Sequence, residues 1–286
     1  MNNIKLSILI PLYNYPIGIQ QILNSINNIS HELRKNIEII ISDDSDEATI
    51  DKELNNKLKK SFTNFEYIHN EVSNGGPDNW NKLISLSRGQ YSWVLHHDEF
   101  WEENKNIVKY ILDIINFKNP DIIILPVKKQ KIILFNKIKL LIFQEHKVLN
   151  NIKMRFISRP KFLLKLNIIG PPSAIIHKKC ELKYDNNLSF LVDVDYYIRL
   201  FKMFELKNIY FVRNYYTLIS SQNNNNSITK LLKINIKSIK EKENIYIHKN
   251  HQYEFNLSEK LLFIYSYIIL KIYSLISIKI RLKRRD

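Results

Sequence analysis

Short apolar runs alternate with amphipathic stretches along the first half of the chain, and that rhythm limits the possible folds more than any other property. KLSILIPLY (5–13) is a nearly continuous apolar run that stops at Asn14-Tyr15-Pro16, as a buried strand entering a loop does. IGIQQILNSI (17–26) then places Ile19, Ile22, Leu23 and Ile26 at helical spacing, and NIEIIIS (36–42) returns to an apolar strand. The unit repeats as a polar helix near 47–61, a strand at 65–70, a helix near 77–87 and the strand QYSWVLHH (90–97). Such an order predicts an α/β fold, a mostly parallel, twisted sheet flanked by helices.

Past Asp98 the pattern predicts a helix over 102–117, a strand at DIIILPV (121–127), a strand at SAIIHKK (173–179), an amphipathic helix at VDYYIRLFKMF (194–204) and a last sheet strand at NIYFVRN (208–214). The polar tract SQNNNNS (221–227) marks the expected boundary between a main domain, 1–220, and a basic helical C-terminal region, 221–286. Two helices are expected in that region, near 228–249 and 257–282. In the second, Lys271 interrupts the apolar run after about ten residues, where a spanning helix wants ~20. An interfacial helix with Lys279, Arg281, Lys283, Arg284 and Arg285 at lipid headgroups fits this pattern, and so does a terminal helix packed on the protein with a solvated basic end.

Charge sharpens the division. Residues 1–124 hold 12 Lys+Arg against 17 Asp+Glu, residues 125–183 hold 14 against 2, and residues 225–286 hold 13 against 5. The net charge of +15 therefore belongs to the second half, a surface suited to anionic lipid headgroups, lipid-linked diphosphates or nucleic acid. With 45% hydrophobic residues the chain is globular, its single Cys180 excludes an internal disulfide, and the N-terminal MNNIKLSILIPLYN lacks the parts of a signal peptide. A cytoplasmic protein is expected.

In an open parallel sheet, ligands bind at the carboxyl ends of the strands. Here those ends carry Asp43-Asp44-Ser45 and His96-His97-Asp98-Glu99, with SNGGPDNWN (73–81) between them. Two acidic ends around a Gly-rich loop that opens a helix suit a nucleotide diphosphate and a divalent cation: Gly75 and Gly76 let backbone N–H groups approach phosphate, and carboxylates hold the metal. Strand alternation sends His96 and Asp98 to one face and His97 to the other. His96 is then left with three readings: a metal ligand, which suits Mn²⁺ better than Mg²⁺, a ribose or phosphate contact, or a packed strand-end residue.

In order and spacing, SILIPLYN, EIIISDDS, NKLISLSRGQY and HHDE resemble the motifs of family 2 glycosyltransferases of the GT-A type, over about residues 4–220. These are inverting, nucleotide-sugar-dependent enzymes common in bacterial surface-polysaccharide assembly. The resemblance implies a donor half over 1–100 and an acceptor half over 101–220. It implies that Pro11 and Tyr13 lie beside the nucleoside, that Asp44 accepts from the base with Asp43 supporting it, that Asn81 lies near the donor, and that Asp98 is the last acid of the metal-binding Asp-x-Asp, whose first acid is His96 here. In LVDVDYYIRL (191–200) it makes Asp193 the general base, with Val192 where the family has a glutamate.

Asp193 also suits a helix N-cap, and Asp195 and Arg199, four apart, suit a structural or positioning ion pair. Gly170, Pro171 and Pro172 of GPPSA are read either as bordering the acceptor or as a turn, and His177 as a strand-surface residue. Ser221 or Gln222 stands where the family carries a phosphate-contacting histidine.

The expected partners are thus a nucleotide-diphosphate sugar, a lipid-linked or oligosaccharide acceptor, a Mg²⁺ or Mn²⁺ ion, and a membrane surface reached through the basic tail, with the protein peripheral on the inner face of the cytoplasmic membrane. A nucleotidyltransferase would carry a basic Gly-rich loop after the first strand, and PLYNYPIG has no Lys or Arg. A non-catalytic membrane- or RNA-binding module would use the Tyr and Lys interleaved in the tail, but the acidic first half opposes a polyanion, so no nucleic acid partner is expected.

Overall fold

The computed structural model describes residues 4–102, 106–129, 154, 156–204, 208–212, 218–220, 235–251 and 255–282. Its strands are β1 (Leu6–Leu12), β2 (Ile37–Asp43), β3 (Phe65–His69), β4 (Tyr91–Val94), β5 (Glu99–Phe100), β6 (Ile122–Ile124), β7 (Val127–Lys129), β8 (Ile175–Lys178), β9 (Ile209–Phe211) and β10 (Leu218–Ser220). The helices are α1 (Pro16–Asn27), α2 (His31–Arg34), α3 (Lys52–Ser61), α4 (Gly76–Leu86), α5 (Ile107–Lys118), α6 (Val192–Met203), α7 (Ile236–His251) and α8 (Leu257–Leu282).

Seven strands form one sheet in the order β3-β2-β1-β4-β8-β6-β9. Four of its pairings are parallel and the two made by β8 are antiparallel, so the sheet is mostly parallel, as the alternation predicts. Every residue of β1 and β2 is buried, which is why both read as unbroken apolar runs rather than alternating ones. Leu6, Ile8, Ile10 and Leu12 of β1 join the core beneath α1 and α5, while Leu9 joins the core beneath α4 and α6. One buried carboxylate ties this layer together: Glu38 accepts from Ser7 Oγ (2.6 Å), Arg88 Nε (2.8 Å) and Gly89 N (3.1 Å). Burial works against its charge, but these bonds hold the carboxyl below its usual range. A Cβ on Gly89 would run into Ser7, so the Arg-Gly turn before β4 admits no larger residue.

Several boundaries differ from the sequence expectation, and the differences cluster at the site. The helix expected from 47 starts at Lys52, because Asp51 caps it through Leu54 N (2.7 Å) and the preceding loop is folded onto Asp43. β4 ends at Val94, three residues early, and residues 96–99 form a turn closed by Glu99 N to His96 O (3.0 Å). Glu99 then enters a second, three-stranded sheet, β5-β10-β7. The strand expected over 121–127 is broken after Ile124 and continues in that second sheet as β7, so β9 is not the last strand. Pro172–Ala174 form a short 3-10 turn before β8. In the C-terminal region, Ile247 of α7 is fully buried, and Tyr246, Leu262, Phe263 and Ile269 pack on the same core as α6. The boundary tract at 221–227, with Ser221 and Gln222, lies outside the described residues.

Candidate active site

At the carboxyl ends of β1 and β2 the acids are fully engaged. Asp43 is buried and accepts from Ser45 N (3.0 Å), Thr49 N (2.9 Å) and the Tyr67 hydroxyl (2.7 Å). Desolvation raises its pKa, but the three bonds win and hold the carboxyl below the ordinary range. Asp44, 3% exposed, accepts from Asn70 Nδ2 (2.5 Å), Asn74 N (3.1 Å) and Gly75 N (3.0 Å). The Gly-rich loop is therefore wrapped around Asp44, and the N–H of Gly75 expected to face phosphate is spent on that carboxylate. Gly75 is required by its φ of +82°, since a Cβ there would meet nothing within 4 Å. Pro11 is buried in β1 and Tyr13 stands 40% exposed just beyond it. A cleft of about 600 Å³ opens at the loop that follows Tyr13, lined by Asn14, Pro16, Ser45, Asp46 and Thr49 among others. Asn14 and Asp46 brace it through mutual bonds of 3.0 and 3.2 Å.

The turn after β4 separates the two histidines, although not by strand alternation, since the strand has already ended. His97 turns toward β1, with Nδ1 3.0 Å from the carbonyl oxygen of Pro11 and its ring beside Tyr15. A Cβ at Gly18 would collide with the carbonyl oxygen of His97, so α1 can pack against this turn only through glycine.

His96 turns the other way. Its backbone N–H donates to Ser173 Oγ (2.9 Å), its ring packs on Trp80 at 4.8 Å, and its Nε2 is buried without a partner among the described residues. Burial lowers its pKa to about 3, with His97 adding to the effect, which leaves a neutral imidazole. Ser173 also donates to Glu99, a 2% exposed carboxylate beside Asp98. Ligand atoms of His96, Asp98 and Glu99 lie within 4.8 Å of one another. Burial raises the Asp98 pKa, and the neighbouring His97 opposes the rise. One orphaned imidazole nitrogen and two converging carboxylates fit a divalent cation, and a nitrogen ligand favours Mn²⁺ over Mg²⁺.

Asp193 lies in the first turn of α6 rather than at its N-cap, which is Leu191. Its Oδ2 accepts from Asn167 Nδ2 (2.9 Å) and its Oδ1 from Val194 N (2.8 Å). Burial pushes its carboxyl up to about 7, the hydrogen bonds oppose this, and Glu243 adds to the rise. The same Asn167 amide reaches the carbonyl oxygen of Gly170 (3.0 Å), which also accepts from the Tyr197 hydroxyl (3.2 Å). GPPSA is thus a bridge: Gly170, at φ +113°, meets Asp193 through Asn167, and Ser173 meets His96 and Glu99. Pro171 and Pro172 start the 3-10 turn that sets Ser173 in place.

Two further residues named from the sequence are tied to the scaffold, Asp195 in the ion pair expected of it. Asn81 clamps the backbone of Tyr184, donating to its carbonyl (2.9 Å) and accepting from its N–H (2.7 Å). Asp195 is fully buried and pairs with Arg199 Nε (2.7 Å) and with His251 Nε2 (2.9 Å) from α7. His177, read as a strand-surface residue, is buried and bonded to the Tyr196 hydroxyl (2.9 Å).

The glycosyl transferase family 2 model matches residues 7–181. Over 100 residues, 33% of this chain, the sequence is 38% identical to abequosyltransferase RfbV of Salmonella typhimurium (strain LT2), of which the match spans 28%. Among solved structures, S. aureus TarS 1–349 in complex with UDP-GlcNAc is similar with a TM-score of 0.58, over 92% of this chain and 79% of its own, at 15% identity. Mannosyltransferase PcManGT from Pyrobaculum calidifontis, in complex with GDP-Man and Mn²⁺, is similar with a TM-score of 0.55, over 96% of this chain and 72% of its own, at 9% identity. At these identities the likeness bears on the fold, which is the GT-A fold.

Proposed function

The chain belongs to glycosyl transferase family 2, and from that premise we propose that it is an inverting enzyme which moves a sugar from a nucleotide diphosphate to a hydroxyl of a lipid-linked or oligosaccharide acceptor in bacterial surface-glycan assembly. The observation that carries the reading is Asp193, a carboxyl raised to about 7 at the end of a hydrogen-bonded bridge from the His96, Asp98 and Glu99 cluster. A base of that strength is half ionised near neutrality and accepts a hydroxyl proton as the hydroxyl attacks.

The acceptor oxygen forms its bond to the sugar C1 while the C1–O bond to the diphosphate breaks, and the electron pair leaves with the nucleoside diphosphate. The hydroxyl proton passes to a carboxylate oxygen of Asp193. One displacement inverts the anomeric centre. His96, Asp98 and Glu99 would hold a divalent cation, whose charge stabilises the departing diphosphate. The cleft beside Asn14 and Asp46 is where we place the nucleoside, next to Pro11 and Tyr13. The Salmonella relative is named an abequosyltransferase, which supports sugar transfer as the reaction.

We place the enzyme peripherally at the inner face of the cytoplasmic membrane. On α8, Leu257, Leu261, Ile264, Tyr265 and Ile268 form an exposed stripe at helical spacing, while Leu262 and Phe263 pack inward. Among the described residues, no helix is long and apolar enough to cross a membrane. An apolar stripe on a helix whose sequence runs on into Lys279, Arg281, Lys283, Arg284 and Arg285 supplies the two signals that interfacial binding needs. Release of free nucleoside diphosphate from a panel of nucleotide sugars, with and without Mn²⁺ and lipid-linked acceptors, tests the reading; no metal-dependent turnover with any donor would remove it.

A further inference from the structure

The helix that carries Asp193 does not cap itself. Leu191 at its N-cap makes no side-chain bond, and the N–H groups leading into the helix are buried or partly buried. Their partner comes from far along the chain. Glu243 of α7, 7% exposed, accepts from Ser189 N (2.7 Å), Ser189 Oγ (2.8 Å), Phe190 N (3.1 Å) and Leu191 N (2.7 Å). One carboxylate so collects three successive backbone donors and a hydroxyl, an arrangement that a neutral amide, with one acceptor oxygen, cannot match. Eight residues further along α7, His251 reaches Asp195 (2.9 Å), so the same helix grips α6 at two points.

We propose that Glu243 is a positioning residue for Asp193: it fixes the 189–191 segment from which α6 starts, and it sets a second carboxylate at the same helix end, where it bears on how readily Asp193 gives up a proton. The inference rests on Asp193 being the base. Two acids at one helix end interact unfavourably when both are ionised. Glu243 has four donors; Asp193 has two, Asn167 and Val194. The other titratable groups facing Asp193 are Tyr184, from the loop before α6, and Tyr197 of α6 itself. Burial drives both phenols above the physiological range, so neither carries charge there; among the described residues Glu243 is the other acid that bears on Asp193.

The test is the pH profile of kcat/KM for the full chain and for Glu243→Gln, which keeps the size and removes the charge. Wild type is expected to show an acid limb with its midpoint near 7. In the variant that midpoint moves down, and activity at pH 6, relative to its own plateau, rises about threefold. A lower plateau or melting temperature with an unmoved midpoint means that Glu243 only caps the helix, and overturns the proposal. If Glu243→Gln does not fold, Glu243→Asp carries the same test: it draws the charge back by one methylene, so a smaller downward move is expected and no move overturns the claim. The base assignment fails separately, if Asp193→Asn retains turnover. In that case the ¹³C titration of the Asp193 carboxyl, with and without Glu243→Gln, still decides whether Glu243 controls it.

Discussion

Asp43 and Asp193 are the same residue in two ends of one site, and their surroundings give them opposite characters. Asp43, at the end of β2, has three protein donors and a carboxyl held below the ordinary range. Asp193, in the first turn of α6, has two donors, a buried position and a second acid nearby, and its carboxyl is raised to about 7. An acid whose acceptor capacity is taken by the protein belongs to the scaffold; one left short of donors or counter-charge is available for chemistry. By that criterion Asp44 falls with Asp43, and Asp98, whose pKa burial also raises, falls with Asp193.

The sharpest way to break the comparison is to neutralise both aspartates in turn. Asp193→Asn should lower turnover about a thousandfold while leaving donor affinity within about threefold. Equal loss of both, measured by turnover assay and calorimetry, would make the residue structural. Next in size is His96→Ala, which should weaken Mn²⁺ binding by about 10- to 100-fold in an EPR titration of free protein and should narrow the preference for Mn²⁺ over Mg²⁺. Unchanged affinity would remove His96 from the ligand set.

Asp43→Asn should cost about 2 kcal/mol of stability by chemical denaturation and leave the turnover of folded enzyme nearly unchanged. The pH signs are opposite for the two acids. The stability from Asp43 is present above its unfolded pKa and fades as the pH falls through its lower folded value, whereas Asp193 favours the fold when protonated and contributes less as the pH rises through about 7. The smallest effect belongs to α8. Leu261→Glu with Ile264→Glu should reduce binding to anionic vesicles about tenfold, with the melting temperature unchanged, because both side chains are exposed. Deleting α8 would be a poorer test, since Leu262 and Phe263 belong to the core.

Much of the sheet was legible because β1 and β2 are buried on both faces, which forces unbroken apolar runs between polar loops, and those loops lie at the ligand-binding ends. Legibility failed where partners are distant. The strand is expected to run on to His97, but the chain turns at His96 because Glu99 pairs with β10 more than a hundred residues later. Glu99 stood next to Asp98 and could have been suspected. Asn167, Ser173 and Glu243 had no local mark, since an isolated Asn, Ser or Glu occurs throughout such a sequence.

The amino-acid order by itself determined the alternating α/β layout, the acidic ends of β2 and β4 and the two-signal pattern of the tail, because these depend on periodicity and near-neighbour spacing. Which acids remain available was decided only by the tertiary structure. Proton affinity and acceptor capacity depend on burial, on donors brought from Asn70, Gly75 and Asn167, and on the Glu243 carboxylate of α7, and no spacing rule connects residue 193 to residue 243.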